Sequence, residues 1–156
     1  MTVAKKLKEH LAGTGVDYEV VKHPRTYSSS TTAQAAHVSG EHLAKSVVLH
    51  DEEGYFLAVV PSTHRVELHT IHDLTKRQLN LASEGEIATL FADCDVGAVP
   101  PLGAAYGIEV VLDESLSDLP DVYFEAGDHE SLIRVSGKGF AALAAECRRG
   151  RISHHA

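Results

Sequence analysis

The chain has 156 residues, 44% hydrophobic and 23% charged, the balance of one soluble globular domain able to bury a sizeable core. Its formal net charge of −8, from 22 acidic and 14 basic residues, excludes a protein whose whole surface grips nucleic acid, because phosphate contacts need clustered cations. No run approaches the roughly 20 apolar residues of a membrane span. Met1 to His10 carries lysines but no apolar segment of the secretory kind, so a cytoplasmic location is expected. Cys94 and Cys147 stand far apart and read as two thiols in a reducing compartment. Local basic groups do occur: Lys5, Lys6 and Lys8 near one end, Arg148, Arg149 and Arg151 near the other.

Val3, Leu7 and Leu11 recur every four residues before Gly13 and Gly15, which predicts a helix from Thr2 to Leu11 closed by a glycine cap. Asp17 to Val21 alternates as a strand, and His23 to Ser30 is a polar loop. Thr31-x-x-Gln34 resembles a capping box opening a short alanine-bearing helix that closes near Gly40. Lys45 to Leu49 and Tyr55 to Val60 are β-rich runs around an acidic turn, a hairpin in which Gly54 supplies the positive φ and Pro61 ends the second strand. A short helix is expected around Ile71 to Lys76. Ser83-x-x-Glu86 is a second capping box, with Ile87, Leu90 and Phe91 on one face of its helix.

Three strands follow, Tyr106 to Leu112, Asp121 to Ala126 and Ser131 to Val135. Phe140, Leu143, Ala144 and Cys147 then form the buried stripe of a last helix, with Arg148 and Arg149 in its final turn. Strand pairs joined by short turns predict an α+β fold: one domain, residues 1–150, with a mainly antiparallel mixed sheet, partly barrel-like, surrounded by helices. Residues 151–156 read as a disordered tail.

Three places carry the residues that chemistry needs. In Val96 to Gly103 two prolines stiffen the chain while glycines admit a ligand close to the backbone. The N–H groups around Gly97, Ala98 and Val99 are then candidate oxyanion donors. Lys45 opens an otherwise apolar strand and would hold a phosphate or an oxyanion. His129 lies between Asp128 and Glu130 after a hairpin turn and is suited to proton transfer near neutral pH. Each feature also has a plain structural reading, as a tight core connection, a surface lysine and a turn histidine.

Together and in this order, these segments resemble the YbaK family, the editing domain inserted in bacterial prolyl-tRNA synthetases and its free-standing relatives. The likeness rests on Asp17-Tyr18, His23-Pro24, Ala44-Lys45-Ser46-Val47-Val48, Gly97-Ala98-Val99-Pro100-Pro101-Leu102-Gly103, and Glu125-Ala126-Gly127 through Leu132-Ile133-Arg134-Val135-Ser136. It implies an aminoacyl-tRNA deacylase that hydrolyses the ester between a wrongly attached amino acid and the terminal adenosine of tRNA. In that reading Lys45 contacts the terminal nucleotide and Gly97 to Pro101 holds the aminoacyl carbonyl through backbone N–H groups. Water is activated with help from the ribose hydroxyl, and neither cofactor nor metal is expected. His129 resembles the histidine of the alanine-editing branch, which favours a small amino acid such as alanine on tRNA(Pro) over cysteine, serine or threonine. The site expected is Lys45, Gly97 and His129 as catalytic residues, with Tyr27, Val47, Ala98, Val99, Pro100, Pro101, Gly103, Asp128 and Ser136 about the substrate. The expected partners are the acceptor end of aminoacyl-tRNA and a prolyl-tRNA synthetase, the protein being a monomer or weak homodimer.

Two other classes compete. His69-x-x-His72, joined by His37, His42 or His50, would suit a zinc hydrolase. A non-catalytic module that binds tRNA or a synthetase is the other, against which the intact Lys45 and proline loop speak.

Overall fold

A computed structural model describes residues 3–26 and 29–156, with backbone alone for residues 29–31. Five helices and ten strands follow in the order α1 (Lys5–Thr14), β1 (Glu19–Lys22), α2 (Ser29–Ala35), β2 (Leu43–Asp51), β3 (Gly54–Pro61), β4 (His64–Val66), α3 (Leu68–Thr75), β5 (Asn80–Leu81), α4 (Glu84–Leu90), β6 (Glu109–Asp113), β7 (Asp121–Glu125), β8 (Ser131–Ser136), α5 (Gly137–Leu143), β9 (Arg148–Gly150) and β10 (Ser153–His155). The large sheet runs β1-β8-β7-β2-β3-β6-β9, with β5 set against the outer edge of β2. The hairpins β2–β3 and β7–β8 and the pair β1–β8 are antiparallel, whereas β2–β7, β3–β6 and β6–β9 are parallel. No helix among the described residues is long and apolar enough to cross a membrane.

Side chains alternate across each strand, so the sheet sorts its residues into two faces. Ala44, Val48, Leu57, Val59, Val122, Phe124, Ile133 and Val135 face the main core, which α1 fills with Leu7 and Leu11 and α5 with Phe140. The other face carries two apolar clusters. Leu43, Leu132 and Ala33 of α2 form one; Leu49, Phe56, Val60, Ile71 of α3 and Ile152 form the other. Burying a residue such as Phe56 or Leu49 contributes about 1.5–3 kcal/mol each.

Most expected elements are present with shifted ends. The first helix runs from Lys5 to Thr14 and stops at Gly15 in the left-handed conformation. Gly54 takes φ 140 in the β2–β3 turn, and the Ser83–Glu86 capping box is complete, each partner bonding the other's backbone N–H. Helix α2 begins at Ser29, two residues before Thr31, so Thr31 is not its N-cap.

Three expectations at the C-terminal side are corrected. Residues 103–106 form a 3-10 turn, and the strand begins only at Glu109. The last helix stops at Leu143, and Arg148 and Arg149 lie in β9, parallel to β6, although Arg149 still reaches the C-cap carbonyl of α5 at Ala144. Arg148 donates to Leu74 O, and Arg149 to Ser117 Oγ and Ala144 O. The stretch 151–156 is not a free tail. Ile152 is fully buried, its N–H donates to Asp113 Oδ1 at 2.9 Å, and β10 pairs with β4. One large apolar residue, with four polar ones and a terminal alanine, gives no readable period, yet it is the residue that anchors the segment.

Candidate active site

Strand β2 outruns its neighbour on one edge. β7 pairs with Leu43 and Ala44, and β5 pairs with Leu49 and His50, with Ala82 N–H donating to Val48 O at 2.9 Å. Among the described residues no ladder partner covers that edge at Lys45, Ser46 and Val47. Because Val48 O points to this edge, the two-residue period directs the N–H and C=O of Ser46 there as well. The Ser46 hydroxyl is buried with no hydrogen-bond partner among the described residues. Sequence reasoning did not single out Ser46, since a serine in an apolar strand carries no signal until the strand's neighbours are known.

Lys45 and Val47 alternate onto the face of Leu43. Desolvation first, then the charge of Arg65, hold the Lys45 ammonium below the ordinary lysine value. One step beyond the Ala44↔Phe124 pair of the parallel ladder, Lys45 comes level with Glu125, which pairs in turn with Leu132, and Leu132 with Val21. Glu125 is 2% exposed, and neither carboxyl oxygen has a hydrogen-bond partner among the described residues. Burial pushes it up to about 7; the nearby Thr32 hydroxyl opposes this and the charge of Asp128 adds to it. Thr32 Oγ1 is also bonded to Thr26 Oγ1 at 2.5 Å.

Residues 23–26, 94–99 and 126–130 are tied together at the end of β7. His23 N–H donates to Glu130 O (3.0 Å), Thr26 N–H to His129 O (3.2 Å) and Asp95 N–H to Gly127 O (2.7 Å). Arg25 spans all three segments, with Nη1 on Asp128 O and Nη2 on Asp95 Oδ2. Gly127 takes φ 105, and a Cβ there would meet Ala4 Cβ at 2.9 Å and Cys94 Sγ at 3.2 Å, so glycine is required on both counts. Arg25 was not among the candidate residues; its role rests on bonds to positions 70 and more residues away.

His129 is buried, at φ 57, with Nε2 2.9 Å from Val96 O. A carbonyl only accepts, so Nε2 carries the proton and is committed to holding the 94–99 loop. His129 is thereby a positioning residue, and this nitrogen is not available for proton transfer. Asp128 is fully buried. Its Oδ1 accepts from Glu130 N–H and Ser131 N–H, and Oδ2 from Ser131 Oγ–H, so its carboxylate builds the turn instead of facing a ligand.

In the proline loop Gly97 is exposed, at φ 90. Ala98 N–H is spent on Asp95 O at 3.0 Å, which leaves the N–H groups of Gly97 and Val99 without a backbone acceptor among the described residues. Pro100, Pro101 and Gly103 are buried. A Cβ on Gly103 would collide with Ile108 O and sit 2.5 Å from Val110 Cγ2, so Gly103 serves packing and not substrate. Ser136 lies at the far end of β8, roughly 17 Å from Ser131 at 3.3 Å per residue, and caps α5 through Gly139 N–H. It stands apart from the site. Tyr27 lies outside the described residues.

Four of the five histidines weighed for zinc pair separately. His69 faces Asp73 at 3.5 Å, His72 Nδ1 faces Arg77 O at 3.0 Å, His42 faces Asp121 at 3.0 Å and His50 faces Glu86 at 3.2 Å. Among the described residues no group of three or more His, Cys, Asp or Glu converges in a way that would hold a metal ion. Both cysteines are free, and burial pushes the Cys94 thiol up to about 12, which makes it a poor nucleophile.

A family model described as aminoacyl-tRNA editing domain matches residues 23–143. A search of curated protein sequences gave no match. Among solved structures, a candidate trans-editing enzyme for prolyl tRNA synthetase superposes with TM-score 0.84 at 27% identity, over 97% of this chain and 96% of that one. A hypothetical protein superposes with TM-score 0.85 at 22% identity, over 96% and 100% of the two chains. A chain described as a signal transduction protein from Marinobacter aquaeolei matches with TM-score 0.75 at 19% identity, over 95% of this chain and 30% of that one. The last two share the fold.

Proposed function

Because the chain belongs to the aminoacyl-tRNA editing domain family, and so is an aminoacyl-tRNA deacylase, we propose that it acts in trans on mischarged tRNA(Pro) bearing a small amino acid, alanine before cysteine, serine or threonine. The observation that carries this reading is the uncovered stretch of β2 at Lys45, Ser46 and Val47. It lies between β7 and β5, and the turn 126–130 that follows β7 is tied to the loop 94–99.

The chemistry asked of such a site is modest. Water attacks the ester carbonyl, the bond to the ribose oxygen breaks, and that oxygen leaves with the proton, the neighbouring ribose hydroxyl assisting. The protein supplies orientation and charge stabilisation. The N–H groups of Gly97 and Val99 are available to the developing oxyanion, an interaction of the kind worth about 10²–10³ in rate per donor. Lys45, half-buried at the edge of the gap, suits the terminal phosphate or nucleotide. Val47 beside it offers an apolar surface to a short side chain. No metal enters this scheme.

Recognition of the tRNA body falls to a second feature. A shallow groove of about 450 Å³ is lined by Val3, Lys5, Lys8, Tyr18, Val20 and Lys22. Three lysines with a tyrosine meet there on a chain whose net charge is −8. A local cationic strip suits phosphate binding, and the acidic remainder keeps non-specific RNA binding low. A prolyl-tRNA synthetase handing over its mischarged product is the natural partner, and a monomer or weak homodimer is sufficient for the scheme.

Deacylation of Ala-, Ser-, Thr- and Cys-tRNA(Pro) tests the reading. Fastest release from Ala-tRNA(Pro) is the outcome expected. tRNA binding with no release from any of the four supports a non-catalytic module instead.

A further inference from the structure

Glu125 is a buried carboxyl that the deacylation scheme leaves unused, and the fold gives it no task. Leaving such a group unpaired costs free energy, so an unpartnered buried carboxyl in a native protein calls for an explanation. Its neighbours do not supply one. Asp128 is saturated by its own turn, Asp95 is bonded to Arg25, and the neutral Thr32 hydroxyl, shared with Thr26, offers Glu125 no charge.

What distinguishes Glu125 is its place. It is the last residue of β7, at the point where β2 loses its neighbour, and one register step puts it level with Lys45 on the same face. His23, one residue past β1, continues the alternation of Val21 onto that face. His23 Nδ1 is 2.8 Å from Pro24 O, and since a carbonyl only accepts, Nδ1 donates there. Nε2 is then a lone-pair acceptor, buried and unpartnered among the described residues. Glu125 and His23 Nε2 are thus two buried, unfilled acceptors on the same face of the sheet, among the described residues.

An aminoacyl ester brings a group that matches these acceptors: its α-ammonium, a compact cation with three donors. We propose that Glu125 receives the α-ammonium of the aminoacyl group, with His23 Nε2 as a second acceptor, so that the site selects esters whose amino group is free. The inference rests on the deacylase reading and assigns one end of its substrate. Raised basicity of the empty carboxyl is consistent with it, because a cation arriving beside Glu125 restores the ionised form.

The test compares enzyme-dependent hydrolysis of Ala-tRNA(Pro) and N-acetyl-Ala-tRNA(Pro), in which acetylation removes the charge and adds bulk. Wild-type protein is expected to prefer the free amine by a factor of about 10–100, the worth of one charged hydrogen bond. Glu125→Gln should slow Ala-tRNA(Pro) and leave the slower N-acetyl reaction unchanged, so that the preference collapses towards one; that unchanged reaction also reports an intact fold. Equal wild-type rates on the two esters overturn the proposal without any variant. Full preference retained in Glu125→Gln overturns it as well, with the deacylase reading intact. No hydrolysis of either ester by wild type overturns both.

Discussion

His129 Nε2 donates to Val96 O across 2.9 Å, so the turn after β7 holds the loop that presents the Gly97 N–H. This bond makes a kinetic prediction. His129→Ala frees the 94–99 loop and should lower kcat by about 10–100-fold, since small misplacements of a stabilising group are costly. KM should change by much less, because the loop it holds carries the proposed oxyanion donors. A rise in KM at constant kcat would show instead that His129 contributes to ground-state binding.

Asp128 makes a prediction about stability. Its buried carboxylate accepts from two backbone N–H groups and one hydroxyl. Asp128→Ala strands the buried Ser131 N–H and should cost about 2–4 kcal/mol in denaturant unfolding. A cost under about 0.5 kcal/mol would mean that the turn closes without it.

Glu125 predicts a pH dependence. Its folded pKa, about 7, lies above the ordinary carboxyl value of 4.5. Between these values the unfolded chain has released a proton that the native protein still holds, so raising the pH favours unfolding. Stability present below pH 4.5 is therefore lost as the pH climbs to about 7, to the order of 3 kcal/mol. Glu125→Gln removes this contribution. The variant should gain on wild type from pH 4.5 to 7 and run parallel to it above. Parallel curves throughout would show that Glu125 titrates normally in the folded state.

The lysine groove predicts a salt dependence. Lys5→Glu with Lys8→Glu and Lys22→Glu should weaken tRNA binding and flatten its log–log dependence on salt, by about 0.7–0.9 for each phosphate no longer neutralised. Arg148→Gln with Arg149→Gln should leave that slope unchanged, because both guanidinium groups bond inside the protein. The reverse pattern would move the tRNA-binding surface to β9.

The C-terminal segment predicts a loss of stability. Ile152 is fully buried in the cluster with Phe56, Ile71 and Val111. Ile152→Ala should cost about 2–5 kcal/mol by calorimetry, as other large-to-small core changes do. A change near zero would mean that residues 151–156 add little to the fold.

Much of this architecture was legible in the chain itself. Alternation gave the two hairpins, the four-residue period gave α1, and Ser83-x-x-Glu86 marked the start of α4, because each is a local pattern with a local cause. Ile152 and Arg148 were misread because their partners, Asp113 and Leu74, lie 39 and 74 residues away, and no local period reports them. The site divides in the same way. Lys45, Gly97 and His129 stood out as polar or glycine positions in distinctive surroundings. Ser46, Arg25 and Glu125 did not, since what singles them out is an uncovered strand edge, a bridge between loops and an unpaired buried carboxyl. Gly103, Asp128 and Ser136 show the converse: residue types common in sites, here occupied by packing, a turn and a helix cap.

The central claim is tested most directly by deacylation of Ala-tRNA(Pro) with wild-type protein and Lys45→Ala side by side. The account predicts release of alanine by wild type and a drop of about a hundredfold or more in the variant, with the fold unchanged by circular dichroism. Equal release by the two proteins would place the reaction away from the uncovered edge of β2 and contradict the account.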